Sequence, residues 1–434
     1  MQEKKAFEAD VRSFAGIEET MDKSGLTICY AAKIRLNEAL DKNRMRLAWK
    51  NTRAGEAFLQ VSTREKTVTR VSEEFWQEPD FLEIPEESFK TAHLQANITQ
   101  QEIEKYKVCS HLIVCQDNLM LQLIIRIPHS ISDGTSFMII VNSLLKQYDN
   151  LVAPSERPPL PKPASQLQPV VKKDFIESFK KRYHSDLINF KNTTPHSIEE
   201  NRDSGAYLTT GCGTPEGAEN LLSYCRANGI TIGSFLAAAV TFINAKLTKT
   251  FNEDFKLDVD YNLRDRFPEK IGNKIVSCFV GWPSLRPNAE LSNTLLEVAK
   301  KIYAELKLHM SEESHHQFGS IQELLSEHEA VYDEIAAKNN RVTSSFNFSN
   351  VGKYKFSLKY EKCEILELFC TGEGWANICE YCTLFQTTDK LCISITHLNK
   401  PEYNAAAQKM VESLIEFTED PKAHENYVLS SVIV

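Results

Sequence analysis

Long apolar runs are missing from this chain of 434 residues. None approaches the roughly 20 residues that cross a bilayer, so no membrane span is expected. Excess positive charge is missing too. Lys and Arg number 50 against 59 Asp and Glu, a net charge of −9, which argues against a protein built to grip nucleic acid. Met1 to Asp10 is charged and lacks the apolar core of a signal peptide, so a cytoplasmic location is expected. The 11 cysteines are odd in number and scattered, and read as reduced core residues. Cys379-x-x-Cys382 has no second pair at finger spacing and falls in a strand-like segment. No Gly-rich phosphate loop, HExxH or GxSxG motif is present, and neither a metal nor a bound cofactor is expected.

What is present is an ordinary globular composition, 42% apolar and 25% charged, in a chain long enough for two domains. Phe7, Val11 and Phe14 recur at helical spacing, so Gln2 to Met21 reads as a helix. Leu26 to Ile34 reads as a strand and Leu36 to Trp49 as an amphipathic helix. Short strands follow at Phe58 to Ser62 and Thr67 to Val71, then a polar helix over Ile98 to Lys105. Strands are expected at His111 to Cys115 and Leu119 to Ile127, and a helix over Ser136 to Tyr148. Pro154, Pro158, Pro159, Pro161, Pro163 and Pro169 then crowd one span. That density suits an extended crossover over 153–172, between an N-terminal domain, 1–152, and a C-terminal domain, 173–434; a long surface loop within one domain is the alternative. Helices are expected at Phe175 to Phe190, Glu216 to Arg226 and Ile232 to Leu247. Gly229 is placed to end the second, and Thr231 to cap the third. Leu295, Val298, Ile302 and Leu306 mark another helix. Lys256 to Leu263, Val342 to Asn350, Tyr381 to Gln386 and Leu391 to Thr396 read as strands. The whole is an α/β mixture in both halves.

One stretch carries chemistry: His129-Ser130-Ile131-Ser132-Asp133-Gly134. Leu121, Leu123, Ile125 and Ile127 alternate like a strand before it, and Pro128 should end that strand. Asp-Gly is a turn signal, because glycine tolerates a positive φ, and Thr135 or Ser136 can cap the helix beyond. A histidine there sits on a rigid frame and is mostly a free base at neutral pH. A weak nucleophile needs such a base when it attacks a thioester carbonyl, which points to acyl transfer. The plainer reading is a histidine that only satisfies the strand end. Asp133 either orients the ring or holds the loop through a distant arginine; tight packing favours the second. His315-His316 reads as a solvated helix end.

The six residues resemble the HxxxDG motif of the coenzyme A-dependent acyltransferase superfamily. It includes chloramphenicol acetyltransferase, BAHD and alcohol acetyltransferases, and peptide-synthetase condensation domains. Ile34 to Leu40, Cys225 to Thr231 with its Ala-rich helix, Asp260-Tyr261-Asn262-Leu263-Arg264 and Ser344 to Gly352 are similar to further segments of that family, so the resemblance covers nearly the whole chain. It implies two similar α/β domains, each a mixed sheet flanked by helices, with a substrate tunnel between them. By the same resemblance His129 is the general base, Asp133 a structural acid paired with Arg264, and Gly134 leaves room for the donor's pantetheine arm. Ser345, Asn347, Ser349 and Asn350 become tunnel or oxyanion candidates, although alternate strand residues face opposite ways. Arg266, Lys270 and Lys274 can meet coenzyme A phosphates, or form a solvated face.

Two departures matter. The DFGWG motif of plant enzymes is absent; Gly281-Trp282 and Gly374-Trp375 lack the preceding Asp-Phe. Condensation domains usually carry two adjacent histidines, whereas Pro128 stands before His129, and the chain holds no carrier or adenylation module. The expectation is therefore a free-standing monomer using acyl-coenzyme A, acetyl by default, to acylate the hydroxyl of a small hydrophobic alcohol or secondary metabolite. Amide formation and a non-catalytic binding protein of the same fold are the alternatives.

Overall fold

Leu121, Leu123, Ile125 and Ile127 are all buried on one face of a strand that runs from Met120 to Pro128. A computed structural model describes residues 11–23, 25–64, 66–96, 107–167, 177, 206–248, 257–267, 271, 274–281, 284–285, 289–311, 344–373 and 379–432. The strands are β1 (Val11–Ser13), β2 (Thr27–Leu36), β3 (Val61–Arg64), β4 (Thr67–Arg70), β5 (Asp80–Glu83), β6 (His111–Asp117), β7 (Met120–Pro128), β8 (Ala206–Cys212), β9 (Leu257–Asn262), β10 (Val280–Gly281), β11 (Ser284–Leu285), β12 (Ser344–Lys353), β13 (Cys363–Glu373), β14 (Cys379–Thr387) and β15 (Leu391–Leu398). The longer helices are α1 (Ile17–Lys23), α2 (Lys42–Gly55), α3 (Phe89–Gln95), α4 (Gly134–Asp149), α5 (Pro215–Ala227), α6 (Ile232–Thr248), α7 (Leu295–Ser311) and α8 (Pro401–Glu419).

Two mixed sheets organise the chain. The first has the order β13-β2-β7-β6-β5, antiparallel except for β5 beside β6. One face carries Ile34 and Ile125 against Trp49 of α2 and Leu144 of α4. The second sheet has the order β10-β9-β12-β14-β15-β8, with β11 also on β9. Strands β9, β12 and β14 run parallel, and its core gathers Phe346 and Phe348 with Phe235 of α6, Val298 of α7 and Leu414 of α8. A smaller apolar cluster joins the halves: Ile17 and Leu26 meet Leu263, Cys278, Phe279 and Cys382. Among the described residues no single helix is long and apolar enough to cross a membrane.

Several elements differ from the sequence reading. In place of a helix over Gln2 to Met21, Val11–Ser13 pairs with β4, and α1 begins at Ile17; residues 1–10 lie outside the described set. Helix α2 begins at Lys42 rather than Leu36. Buried Leu36 completes the alternation of β2, and the Asp41 side chain accepts from Arg44 N at 2.9 Å to start the helix. The helices expected at Ile98 to Lys105 and Phe175 to Phe190 fall outside the described residues, save Glu177. Residues 151–163 have no helix or strand, as their prolines require, and Ala164–Leu167 form one helical turn. Gly229 ends α5 with φ of 65°, and the Thr231 hydroxyl accepts from Ser234 N at 3.1 Å ahead of α6. Strands β8 and β13 and helix α8 have no counterpart in the sequence reading. A register shift between Ile365 and Glu367 breaks the period of two that marks a strand, hiding β13. This strand, from the C-terminal half, pairs with β2 and completes the first sheet.

Candidate active site

Strand β7 delivers the chain to Pro128, and His129–Ile131 then makes a single 3-10 turn. His129 N donates to Leu26 O at 2.9 Å, tying the turn to the segment before β2. The ring is buried, and its Nδ1 lies 2.8 Å from Ser132 O. A carbonyl only accepts, so Nδ1 carries the hydrogen and Nε2 carries the basic lone pair. Burial pulls the ring's pKa below the ordinary histidine value, against an opposing pull from backbone hydrogen bonding and Asp133. Cys278 Sγ approaches Nδ1 at 3.8 Å from the other half of the chain.

Asp133 faces away from that ring. Its Oδ1 accepts from Ser136 N at 2.8 Å, so Asp133, and neither Thr135 nor Ser136, caps α4. Its Oδ2 accepts from Arg264 Nη1 at 2.6 Å and from Phe279 N at 2.9 Å. The Ser132 carbonyl, not this carboxylate, orients the imidazole. Burial works against the Asp133 charge, but the adjacent Arg264 guanidinium and the two backbone donors hold its carboxyl below the usual range. Arg264 is buried in turn. Its Nη2 donates to Ser136 Oγ, Ile275 O and Ser277 O, each at 3.1 Å, and its guanidinium lies 4.9 Å from the Phe279 ring centre. Breaking such a buried pair from one side costs about 3–5 kcal/mol. The pair thus fixes the start of α4 to the segment beyond β9.

Gly134 does not take a positive φ, contrary to the turn expected there; it is the first residue of α4. Its missing side chain answers to space. A Cβ on Gly134 would lie 2.6 Å from Val351 Cγ2 of β12, so the room it leaves is filled by Val351.

The candidates on β12 divide by strand alternation. Phe346 and Phe348 point into the second core, so Asn347 and Ser349 face the other way. Asn347 Nδ2 donates to Asp260 Oδ1 at 3.2 Å, and Cys382 Sγ donates to Asn347 Oδ1 at 3.3 Å, which places this face against the apolar cluster beside His129. Asn350 turns toward α6: its Nδ2 is 3.3 Å from where a Gly233 Cβ would stand, and its Oδ1 accepts from Gly352 N at 3.1 Å. The side chain of Ser345 lies outside the described residues. Asp260 was not singled out from the sequence, although Asp258 and Asp260 alternate on one face of β9. Burial drives the Asp260 carboxyl up to about 7, against hydrogen bonds from Asn347 and Ser349 and with the Asp258 charge adding to the rise. Two residues on, Asn262 Nδ2 donates to Thr135 Oγ1 at 2.9 Å, so β9 reaches the first turn of α4, which follows the His129 loop.

Of the basic candidates, Arg266 is half-buried with its guanidinium 5.9 Å from the Tyr261 ring centre, Lys274 is exposed, and Lys270 lies outside the described residues. His315 and His316 lie outside them as well. Cys379 and Cys382 both sit in β14, and the side chain of Cys379 lies outside the described residues. Among the described residues no group of three or more His, Cys, Asp or Glu is placed to hold a metal.

No family model matches the chain by sequence, and no curated protein does either. Solved structures match over almost its full length. A trichothecene 15-O-acetyltransferase from Fusarium sporotrichioides superposes with a TM-score of 0.69 at 12% identity, over 94% of this chain and 95% of its own. The condensation domain of the monacolin K polyketide synthase MokA gives 0.68 at 10% identity, over 97% and 100%. Polyketide synthase associated protein 5 from Mycobacterium tuberculosis gives 0.63 at 12% identity, over 94% and 98%. The chain therefore has the two-lobed, mixed α/β fold of the chloramphenicol-acetyltransferase-like proteins. That fold serves acyltransferases and condensation domains alike.

Proposed function

We propose that this protein is an acyl-coenzyme A-dependent O-acyltransferase with His129 as general base, working on the hydroxyl of a small hydrophobic alcohol or secondary metabolite. One observation carries the proposal. The Ser132 carbonyl fixes the imidazole in the tautomer whose Nε2 is basic, at a junction built from both lobes. In this reading Nε2 takes the acceptor's hydroxyl proton as the oxygen attacks the thioester carbonyl. The tetrahedral oxyanion collapses, the carbon–sulfur bond breaks, and the imidazolium returns the proton to the departing thiolate. Asn347, on the face turned toward the junction and with a second N–H beyond the one given to Asp260, supplies the donor for the oxyanion. Arg266 and Lys274 meet the phosphates of the donor. Lowering of the ring's pKa by burial keeps the base form present at neutral pH.

The test is thiol release from acetyl-coenzyme A with a panel of alcohols and amines, for the wild type and His129→Ala. Release that depends on an alcohol and falls roughly 100-fold or more in the variant supports the proposal. Wild-type turnover by His129→Ala overturns the role of the base, and release with amines alone overturns ester formation.

A further inference from the structure

A cavity of about 460 Å³ lies apart from His129, lined among others by Lys33, Gln122 and Glu367 of the first sheet, Lys90 of α3, and Cys212 of β8. Gln122 stands seven residues back along β7 from His129, roughly 23 Å at about 3.3 Å per residue. Strand β8 is an edge of the second sheet, and Cys212 is its last residue. Directly across the antiparallel ladder is Cys392 of β15.

The local hydrogen bonding decides how near the two side chains come. Gly213 N donates to Leu391 O at 2.9 Å, so Gly213 and Leu391 form a hydrogen-bonded pair. Cys212 and Cys392 are consequently a non-hydrogen-bonded pair, the kind whose Cα atoms approach to about 4.5 Å and whose side chains crowd together. Their sulfurs are 3.4 Å apart, with Cys212 donating. A disulfide needs Cα atoms about 4.4–6.8 Å apart, so bonding here requires no shift of the ladder. Of the ten cysteines whose side chains are described, all free, nine are buried, and Cys212 alone is partly exposed. The hydrogen bond from Cys212 holds the Cys392 thiol below its ordinary pKa, with help from the Lys390 charge, and pushes Cys212 up.

We propose that Cys212 and Cys392 form an oxidisable dithiol, a modification site that a small-molecule disulfide converts into a cross-strand disulfide. Cys212, facing the cavity, passes its shared proton across the 3.4 Å contact to the Cys392 thiolate as it attacks one sulfur of the small disulfide, expelling one thiolate, and Cys392 then gives that proton to water. The Cys392 thiolate then attacks the Cys212 sulfur of the mixed disulfide and expels the second. Two protein thiols are oxidised, one small disulfide is reduced to two thiols, and the two protons released protonate them. The product ties the edge strand to β15.

The experiment uses the full chain, incubated with oxidised glutathione, alkylated and mapped by mass spectrometry. The expected result is a Cys212–Cys392 cross-linked peptide and a loss of two hydrogens from the intact mass, both reversed by dithiothreitol. Cys392→Ser should instead trap Cys212 as the mixed disulfide with glutathione, and Cys212→Ser should show neither product. Recovery of Cys212 and Cys392 as free thiols, or as separate glutathione adducts without the cross-link, overturns the proposal. None of these readouts depends on acyl transfer.

Discussion

His129 and His397 are both buried histidines, in different halves of the molecule, and they show what burial does and does not confer. His397 lies within the second sheet. Its Nδ1 donates to Leu398 O at 2.8 Å, and its Nε2 accepts from the Thr209 hydroxyl at 2.9 Å, so a neighbouring strand takes up its basic lone pair. Burial drives its pKa down to about 4. His93 of α3 is similar: its Nε2 donates to Cys29 O at 2.7 Å, and burial lowers it to about 4. His129 shares the burial and the direction of shift. It differs in position, on a loop where Leu26 and Cys278 come from opposite halves of the chain. A depressed pKa therefore marks all three rings, so the shift alone does not separate the proposed base from a structural histidine.

Replacing each ring by alanine tests that contrast most strongly. His129→Ala should lower kcat per folded molecule by roughly 100- to 10,000-fold, with a loss of about 1–3 kcal/mol of stability because the buried Ser132 carbonyl loses its partner. His397→Ala should leave kcat per folded molecule intact and cost about 1–3 kcal/mol of stability, because the Thr209 hydroxyl loses its partner. Equal loss of turnover in both variants would erase the distinction.

The frame around His129 gives the next largest effect. Arg264→Ala leaves the Asp133 carboxylate buried and uncompensated, and urea unfolding should show a loss of about 3–5 kcal/mol. Asp133→Asn breaks the pair from the other side, because an amide whose oxygen keeps the cap turns its NH2 toward Arg264 and the Phe279 N–H, and a comparable loss is expected. No change in either would remove the structural role. Gly134→Ala should cost about 1–3 kcal/mol through overlap with Val351, and Val351→Ala in the same chain should recover much of it. A double-mutant cycle with no coupling would show that the contact is not the reason for glycine there.

The smallest effect concerns pH. In the unfolded chain His93 and His397 protonate near the ordinary value of about 6.5, whereas in the fold they stay neutral down to about 4. Their contribution is intact above pH 6.5 and is lost as pH falls from there toward 4, so the melting temperature should decline over that window. The acid limb of kcat/KM should lie below 6.5, since the His129 shift has the same direction. A limb above 6.5 would contradict the burial of the base.

Much of this was legible along the chain. The period of two in Leu121 to Ile127, the helical stripe of Ile232 to Leu247 and the capping threonine at 231 are local patterns, and they appear where the spacing puts them. The helix shift at Leu36 and the hidden strand β13 were not legible. One depends on whether an apolar residue completes a strand or opens a helix, and the other on a bulge that disrupts the period. Gly134 shows a subtler limit. Its importance was readable, but its cause was not, because Val351 lies more than two hundred positions away.

By itself, the sequence determined what short-range chemistry can encode: a strand, a histidine loop and a helix in succession, with an acid and a glycine at fixed offsets. Hydrogen bonds between near neighbours and side-chain periodicity suffice for that. Only the tertiary structure decided that Asp133 turns from the ring to Arg264, which leaves the neighbouring Ser132 carbonyl to orient the imidazole. It also placed Asp260 against Asn347 and Cys212 across from Cys392. Each is a contact between side chains or backbone groups whose distance is set by sheet register and lobe packing, and neither can be computed from spacing along the chain.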